Sequence, residues 1–314
     1  EYAVANKIVE QPAFAWWAKQ ALRKRDRIIK KVKSRYWKRT HKFGIELPKS
    51  VNEAYAIDSR TGTDFWKRAI EREMLNVRAA FKFVDDDKMP EFWVPVGLHM
   101  IFDVKMDLTR KARLVGNGHE TETPPETCYS SVVSRDSVRL AFLLAALNGL
   151  DILAADVQNA YINADSKEQL YVKEAGQEFG PGFAGRPCMI VRALYGLKSS
   201  GARWHEHMAH TLRDMGYANC RADPDVWMKA RAKPTGEEYW EYVLIYSDDI
   251  LVLSHDPRSV MDDLTKAYTL KAGSIGPPTT YLGADIGQHV FHDSVDPSTT
   301  RWSTGCGPAT RRAS

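Results

Sequence analysis

Tyr242-Val243-Leu244-Ile245 and Ile250-Leu251-Val252-Leu253 are two short apolar runs separated only by Tyr246-Ser247-Asp248-Asp249. No other stretch narrows the possible folds as much. Each run lacks polar residues altogether, the pattern of a strand covered on both faces. Two such strands joined by a few residues read as a β-hairpin, and this one carries adjacent carboxylates at its tip. Buried strands hold a turn rigidly, and paired carboxylates on a rigid turn can share a divalent cation. Aspartate is also a common turn residue, so the hairpin alone leaves a site and an ordinary turn equally open.

A second acid shifts that balance. Leu150-Asp151-Ile152-Leu153-Ala154-Ala155-Asp156 reads as another short strand ending in a carboxylate, followed by Val157-Gln158-Asn159-Ala160-Tyr161. Two-metal nucleotidyl transfer needs carboxylates from separate strands around cations about 3.5–4 Å apart. Asp156 on one strand and Asp248 and Asp249 on a neighbouring hairpin would meet that need. Asp156 also has a plainer reading as a helix N-cap, and the two roles are compatible.

Elsewhere the pattern alternates between helix and strand. Thr63 is expected to cap a helix carrying Phe65, Trp66, Ile70, Met74 and Val77 on one side. Strands are expected around 92–104 and 112–116, then a break at Pro124-Pro125. Ser134 opens a helix through Val138, Ala141, Phe142, Leu144 and Ala145 that ends at Asn148-Gly149. After the acidic strand come a loop over 176–187, a strand Met189–Arg192, and a helix from about 200 to 215 stopped by Gly216. Asp223-Pro224 and Lys233-Pro234-Thr235-Gly236 are turns, and Asp256-Pro257 starts a last helix.

The net charge of +4 is unevenly spread. Arg23, Lys24, Arg25, Arg27, Lys30, Lys31, Lys33, Arg35, Lys38, Arg39 and Lys42 face one acid, Asp26, with Tyr36 and Trp37 interleaved. Such a run suits a phosphate backbone and unpaired bases, and equally a solvated helix face or a linker. Cys128, Cys188, Cys220 and Cys306 form no C-x-x-C pair, which argues against a disulfide framework or a zinc knuckle and for a reducing compartment. No apolar run approaches the length of a membrane span, and the basic N-terminal region lacks the apolar core of a signal peptide. His205, Glu206, His207 and His210 read H-E-H-M-A-H rather than H-E-x-x-H. Only His207 and His210 share a face, so solvent or phosphate contact is expected there rather than zinc.

D-V-x-x-A-Y followed by Y-x-D-D resembles the paired acidic motifs of reverse transcriptases, and the ordered set of segments is similar to the polymerases of copia-type (Pseudoviridae) LTR retrotransposons. The segments are Lys111-Ala112-Arg113-Leu114-Val115 with Gly118, Ala193 through Trp204, Asp223-Pro224-Asp225-Val226-Trp227, the hairpin, and Tyr281-Leu282-Gly283. They occur in the family's order from about residue 50 to 287.

The resemblance implies an α/β (α+β) right-hand polymerase, with fingers and a palm whose antiparallel sheet is backed by helices. It divides the chain into a basic flank or linker over 1–50, fingers and palm over 51–290 with the core at about 80–290, and a disordered, truncated tail over 291–314. It implies RNA- and DNA-directed DNA synthesis on a primed template from dNTPs, with Mg2+ or Mn2+ as cofactor. Asp156, Asp248 and Asp249 would be the catalytic and metal-binding acids, the last ranked third. Tyr161 would exclude a 2′-hydroxyl, and Arg113, Lys111, Val157 and Ser199 would contact the nucleotide. Tyr246, Ser247, Gly196, Lys198 and Arg203 would contact nucleic acid. Other Pol or Gag products are implied as partners, in the cytoplasm, in virus-like particles or in the nucleus, with no membrane.

Two positions depart from the family pattern. Ser199 stands where many relatives have Gln, and Ser247 where Val or Met is commoner. No connection or RNase H segment is read, and the chain starts at Glu1, so a fragment, or a truncated or frame-shifted element, is expected. Competing readings are an inactive nucleic-acid-binding relic, against which the intact acids argue, and a nucleotidyl cyclase, against which Tyr161 and Ala193–Ser200 argue.

Overall fold

A computed structural model describes residues 40–85, 89–124, 128–290 and 300–305. Of the basic stretch over 23–42, only residues 40–42 fall within that range, and Pro125 lies outside it. In chain order the strands and α-helices are β1 (His41–Lys42), β2 (Ile45–Glu46), α1 (Val51–Thr61), α2 (Phe65–Val77), β3 (Phe81–Phe83), β4 (Val94–Pro95), β5 (Leu98–Val104) and β6 (Arg110–Gly116). There follow α3 (Arg135–Asn148), β7 (Asp151–Asp156), β8 (Leu170–Val172), β9 (Cys188–Ile190), α4 (Ser200–Asp214), β10 (Ala218–Asn219), β11 (Val226–Ala232), β12 (Glu238–Tyr246) and β13 (Asp249–Ser254). The last are α5 (Pro257–Ala267), β14 (Thr280–Tyr281), β15 (Ala284–Val290) and β16 (Thr300–Gly305). The chain divides into two compact units, one up to Glu73 with Met100–Arg113, the other Met74–His99 with the chain from Leu114 onward.

In the first unit, Ser50 caps α1 by accepting the Glu53 amide at 3.2 Å, and Glu53 accepts the Lys49 amide at 2.7 Å. This reciprocal start is close to a capping box. This helix is not among those expected from the sequence. The cap of α2 expected at Thr63 is also displaced. The orphan amides of Trp66 and Lys67 donate to the Asp58 carboxylate at 3.3 and 2.8 Å, and the Thr63 hydroxyl itself donates to Asp58. Asp58 is buried between the two helices, and a carboxylate reaching across a helix–helix corner outcompetes a local hydroxyl because it takes two amides at once. Trp66 then packs edge-on against Phe102 with ring centroids 5.5 Å apart.

The second unit is built on a five-stranded antiparallel sheet in the order β10-β11-β12-β13-β7. Alternate side chains of the three strands at the β7 end go to opposite faces. Ala155, Val243, Ile245, Ile250 and Val252 pack against Trp204, Met208 and Leu212 of α4 and Val260, Met261 and Leu264 of α5. Ile152, Leu244, Leu251 and Leu253 pack against Val138, Ala141, Phe142 and Ala145 of α3, and against Tyr281. A sheet covered on both sides has no solvated face, which is why both hairpin runs are uninterruptedly apolar. The outer edge of β7 is covered too: Ala154 donates to Gly276 O at 2.8 Å and accepts the Gly276 amide at 3.1 Å.

Smaller sheets complete this unit, β3-β9-β8-β4 and β14-β15-β16. The strand expected over 92–104 is two, β4 and β5, split around Val96-Gly97, and the one expected at Met189–Arg192 is Cys188–Ile190. The expectation of a disordered tail over 291–314 does not hold for Thr300–Gly305, which pairs antiparallel with β15. The free edge of a strand offers a full set of backbone donors and acceptors, and a segment without hydrophobic periodicity can still use them. The caps read at Ser134, Gly149 and Asp256 stand as expected.

The Asp58 cap gives a direct test. Asp58→Ala is expected to lower unfolding free energy by about 1–2 kcal/mol, and Thr63→Ala by less than about 0.5 kcal/mol, as read by denaturant titration.

Candidate active site

Strand register brings the acids together. β12 and β13 pair with Tyr246 opposite Asp249, so Ser247 and Asp248 form a two-residue turn. Ser247 carries the turn's left-handed backbone at φ 57°, a conformation that costs a non-glycine residue energy and must be held by its surroundings. Three contacts hold it. Trp204, buried on α4, donates its indole N–H to Ser247 O at 2.8 Å. The Val157 amide donates to Asp248 O at 2.8 Å, and the Val133 amide to Ile245 O at 3.0 Å.

β13 then pairs with β7 so that Asp249 lies directly opposite Asp156. Like charges directly opposite on one face of a sheet repel. Asp249 registers this: burial first, then the neighbouring Asp248 and Asp156, push its carboxyl up to about 6, with Lys271 pulling the other way. Lys271 Nζ sits 2.6 Å from Asp156 Oδ2, and Ser274 Oγ accepts the Asp156 amide at 3.1 Å. Asp156 ends its strand and caps no α-helix, because the chain runs on into a short 3-10 turn at Ala160–Asn163. Three acids under mutual repulsion, all of them hard oxygen donors, suit a divalent cation. Among the described residues, however, no group of three His, Cys, Asp or Glu side chains is set as a metal cage.

Tyr161 lies in that 3-10 turn, half-buried, with its ring 4.7 Å from the ring of Tyr195. Val157 is buried, and what it brings to the site is its amide tie to Asp248. Tyr246 is exposed at the rim of the turn. Gly196, at φ 89°, does allow a close backbone approach, but the approach is internal. A Cβ there would lie 2.3 Å from Gly116 O, and one at Gly118 would lie 2.4 Å from Gly196 O.

The polar residues around it are also engaged internally. Lys198 donates to Thr121 O at 2.6 Å. Ser199 is buried, and both its amide and its hydroxyl donate to Glu168 Oε1. Arg203 is buried and donates to Glu206 at 2.7 Å. His205 pairs with the buried Asp225 at 2.6 Å, and burial lowers the pKa of His207. Arg113 and Lys111 lie on β6, both within the first unit, and alternate along the strand with buried Ala112 and Leu114. Sequence reasoning missed Lys271, Ser274, Trp204 as a tie, and Glu168. Only Trp204 lies in a segment singled out above, and long-range pairing alone exposes what all four do.

Residues 80–293, more than half of the chain, match the family model described as reverse transcriptase (RNA-dependent DNA polymerase), and the chain belongs to that family. The chain is also similar to Pol and Gag-Pol polyproteins of transposons. It is 28% identical over 226 residues to the Retrovirus-related Pol polyprotein from transposon TNT 1-94 of Nicotiana tabacum, covering 69% of this chain and 16% of the relative. It is 29% identical over 191 residues to the corresponding polyprotein from transposon RE1 of Arabidopsis thaliana, covering 56% and 12%. With the Transposon Ty1-LR2 Gag-Pol polyprotein of Saccharomyces cerevisiae it is 27% identical over 192 residues, covering 59% and 10%. The chain therefore matches only a small part of each of these curated relatives. Among the described residues no helix is long and apolar enough to cross a membrane.

The raised Asp249 carboxyl has a defined pH signature. Its folded pKa lies above its unfolded one, so between roughly pH 4 and 6 the folded state holds the extra proton. The stabilisation is complete below the ordinary aspartate value and is lost as pH rises through about 6. Asp249→Asn is expected to unfold at higher denaturant than wild type at pH 7.5, by about 1 kcal/mol after allowance for solvent screening. The gain is expected to vanish near pH 4. A gain equal at both pH values would contradict the assignment.

Proposed function

We propose that this chain is the fingers and palm of a DNA polymerase that copies RNA and DNA. A primer 3′-hydroxyl gives up its proton to solvent, its oxygen bonds to the α-phosphorus of a dNTP, and the bond to the departing pyrophosphate breaks. The observation that carries this reading is the register setting Asp156 opposite Asp249, with Asp248 on a turn tied at both of its central carbonyls. Asp156 and Asp248 would hold the divalent cations, Mg2+ by preference, with Asp249 assisting. When bound, such cations supply acidity at the 3′-hydroxyl and neutralise charge on the triphosphate. The chain's own contribution is positioning, since phosphoryl transfer asks little covalent chemistry of the protein. Tyr161 is the steric gate against ribonucleotides, and Arg113, whose planar guanidinium suits bidentate phosphate contact, grips the triphosphate. Lys111, two residues earlier on the same face of β6, adds charge. The partners are a primed template and dNTPs.

Primer extension on a primed RNA template, in Mg2+ and then Mn2+, tests the reading. Wild type is expected to extend, and the Asp248→Asn/Asp249→Asn protein to lose at least about 1000-fold. A well-folded wild type that extends in neither metal points instead to a nucleic-acid-binding relic. Tyr161→Ala is expected to incorporate ribonucleotides in a single-nucleotide assay, and unchanged discrimination would remove Tyr161 from the gate.

A further inference from the structure

The C-terminal end of β7 is gripped by a loop outside every motif of the chain. Residues 270–276 run beside the strand, bridging Val157 to Leu270 and Ala154 to Gly276. Between those bridges the Lys271 amide donates to Asp156 O at 2.9 Å, and Ser274 Oγ accepts the Asp156 amide at 3.1 Å. The backbone of Lys271 is therefore fixed next to Asp156 without help from its side chain. That side chain, 55% exposed, places Nζ 2.6 Å from Asp156 Oδ2. The ammonium thus lies on an oxygen of the carboxylate assigned above to metal binding. A monovalent and a divalent cation cannot sit together on one carboxylate oxygen without strong mutual repulsion.

We propose that Lys271 is a tethered counter-cation of the carboxylate cluster, and that metal loading displaces it from Asp156. Before loading, it offsets one of three clustered negative charges and holds the Asp156 side chain in place. On loading, it leaves Oδ2 while its backbone stays anchored. Lys271 is a positioning residue by this account, and the proposal rests on reading Asp156 as a metal ligand.

The test is metal affinity, read without catalysis. Mn2+ alone is titrated into the full chain at low ionic strength, with the free ion followed by electron paramagnetic resonance, for wild type, Lys271→Gln, Lys271→Arg and Asp156→Asn. Lys271→Gln is expected to bind Mn2+ about two- to fivefold more tightly, the size of one solvent-exposed ion pair. The gain is expected to shrink as salt rises. Lys271→Arg should stay near wild type, and Asp156→Asn should bind more weakly. Unchanged or weaker binding in Lys271→Gln, with Asp156→Asn still impaired, overturns the competition and leaves the ligand reading intact. Wild-type affinity in Asp156→Asn overturns the ligand reading and this proposal with it. Lys271→Met provides the same comparison should the glutamine variant fail to fold.

Discussion

The pairing of β13 with β7 is the contact on which the second unit depends. It runs the length of both strands, from Asp249 opposite Asp156 to Ser254 opposite Asp151. A slip of one residue would turn every apolar side chain of β7 to the other face of the sheet. The fully buried positions on β13, with α3 on one side and α4 and α5 on the other, exclude that slip. The same register that fills the core therefore forces two carboxylates together at the end of the sheet. The repulsion is not relieved by separation. It is met by a partial shift of Asp249 toward its neutral form and by the Lys271 ammonium on Asp156.

Around this pair the structure uses backbone more than side chains. Ser247 is kept in a left-handed conformation by an indole N–H from α4, and Val157 hands its amide to the same turn. Gly118 and Gly196 pack main chain against main chain with no room for a Cβ, and a Cβ at Gly116 would meet the Leu197 side chain. Lys198 and Ser199 lock the neighbouring segments through Thr121 and Glu168. Several residues of the Ala193–Trp204 segment therefore shape the site by fixing its frame.

Much of this was legible in the sequence. The two apolar runs announced a doubly covered hairpin, and Asp156 announced a second acidic strand, because burial on both faces leaves an unmistakable composition. Ser134, Gly149 and Asp256 marked helix ends through local chemistry that needs no tertiary partner. What could not be read was non-local. Asp58 displaced Thr63 as the cap of α2 from across a helix corner. The hydrogen bonds of Ser199 to Glu168 and of Arg203 to Glu206 have no local mark in the sequence either. Lys271 lies 115 residues from Asp156, in a loop whose composition carries no signal. The short strand Thr300–Gly305 likewise depends on an edge supplied by β15.

The central claim is that Asp156 and the Ser247–Asp249 turn converge on one cation-binding centre. Metal-directed backbone cleavage tests it most directly. Fe2+ replaces Mg2+, ascorbate and peroxide generate local oxidant, and the cuts are mapped by mass spectrometry. The account predicts two clusters of cuts, one beside Asp156 and one at Ser247–Asp249, both lost in Asp248→Asn. Cuts confined to one of these segments, or placed elsewhere and indifferent to that substitution, would contradict it.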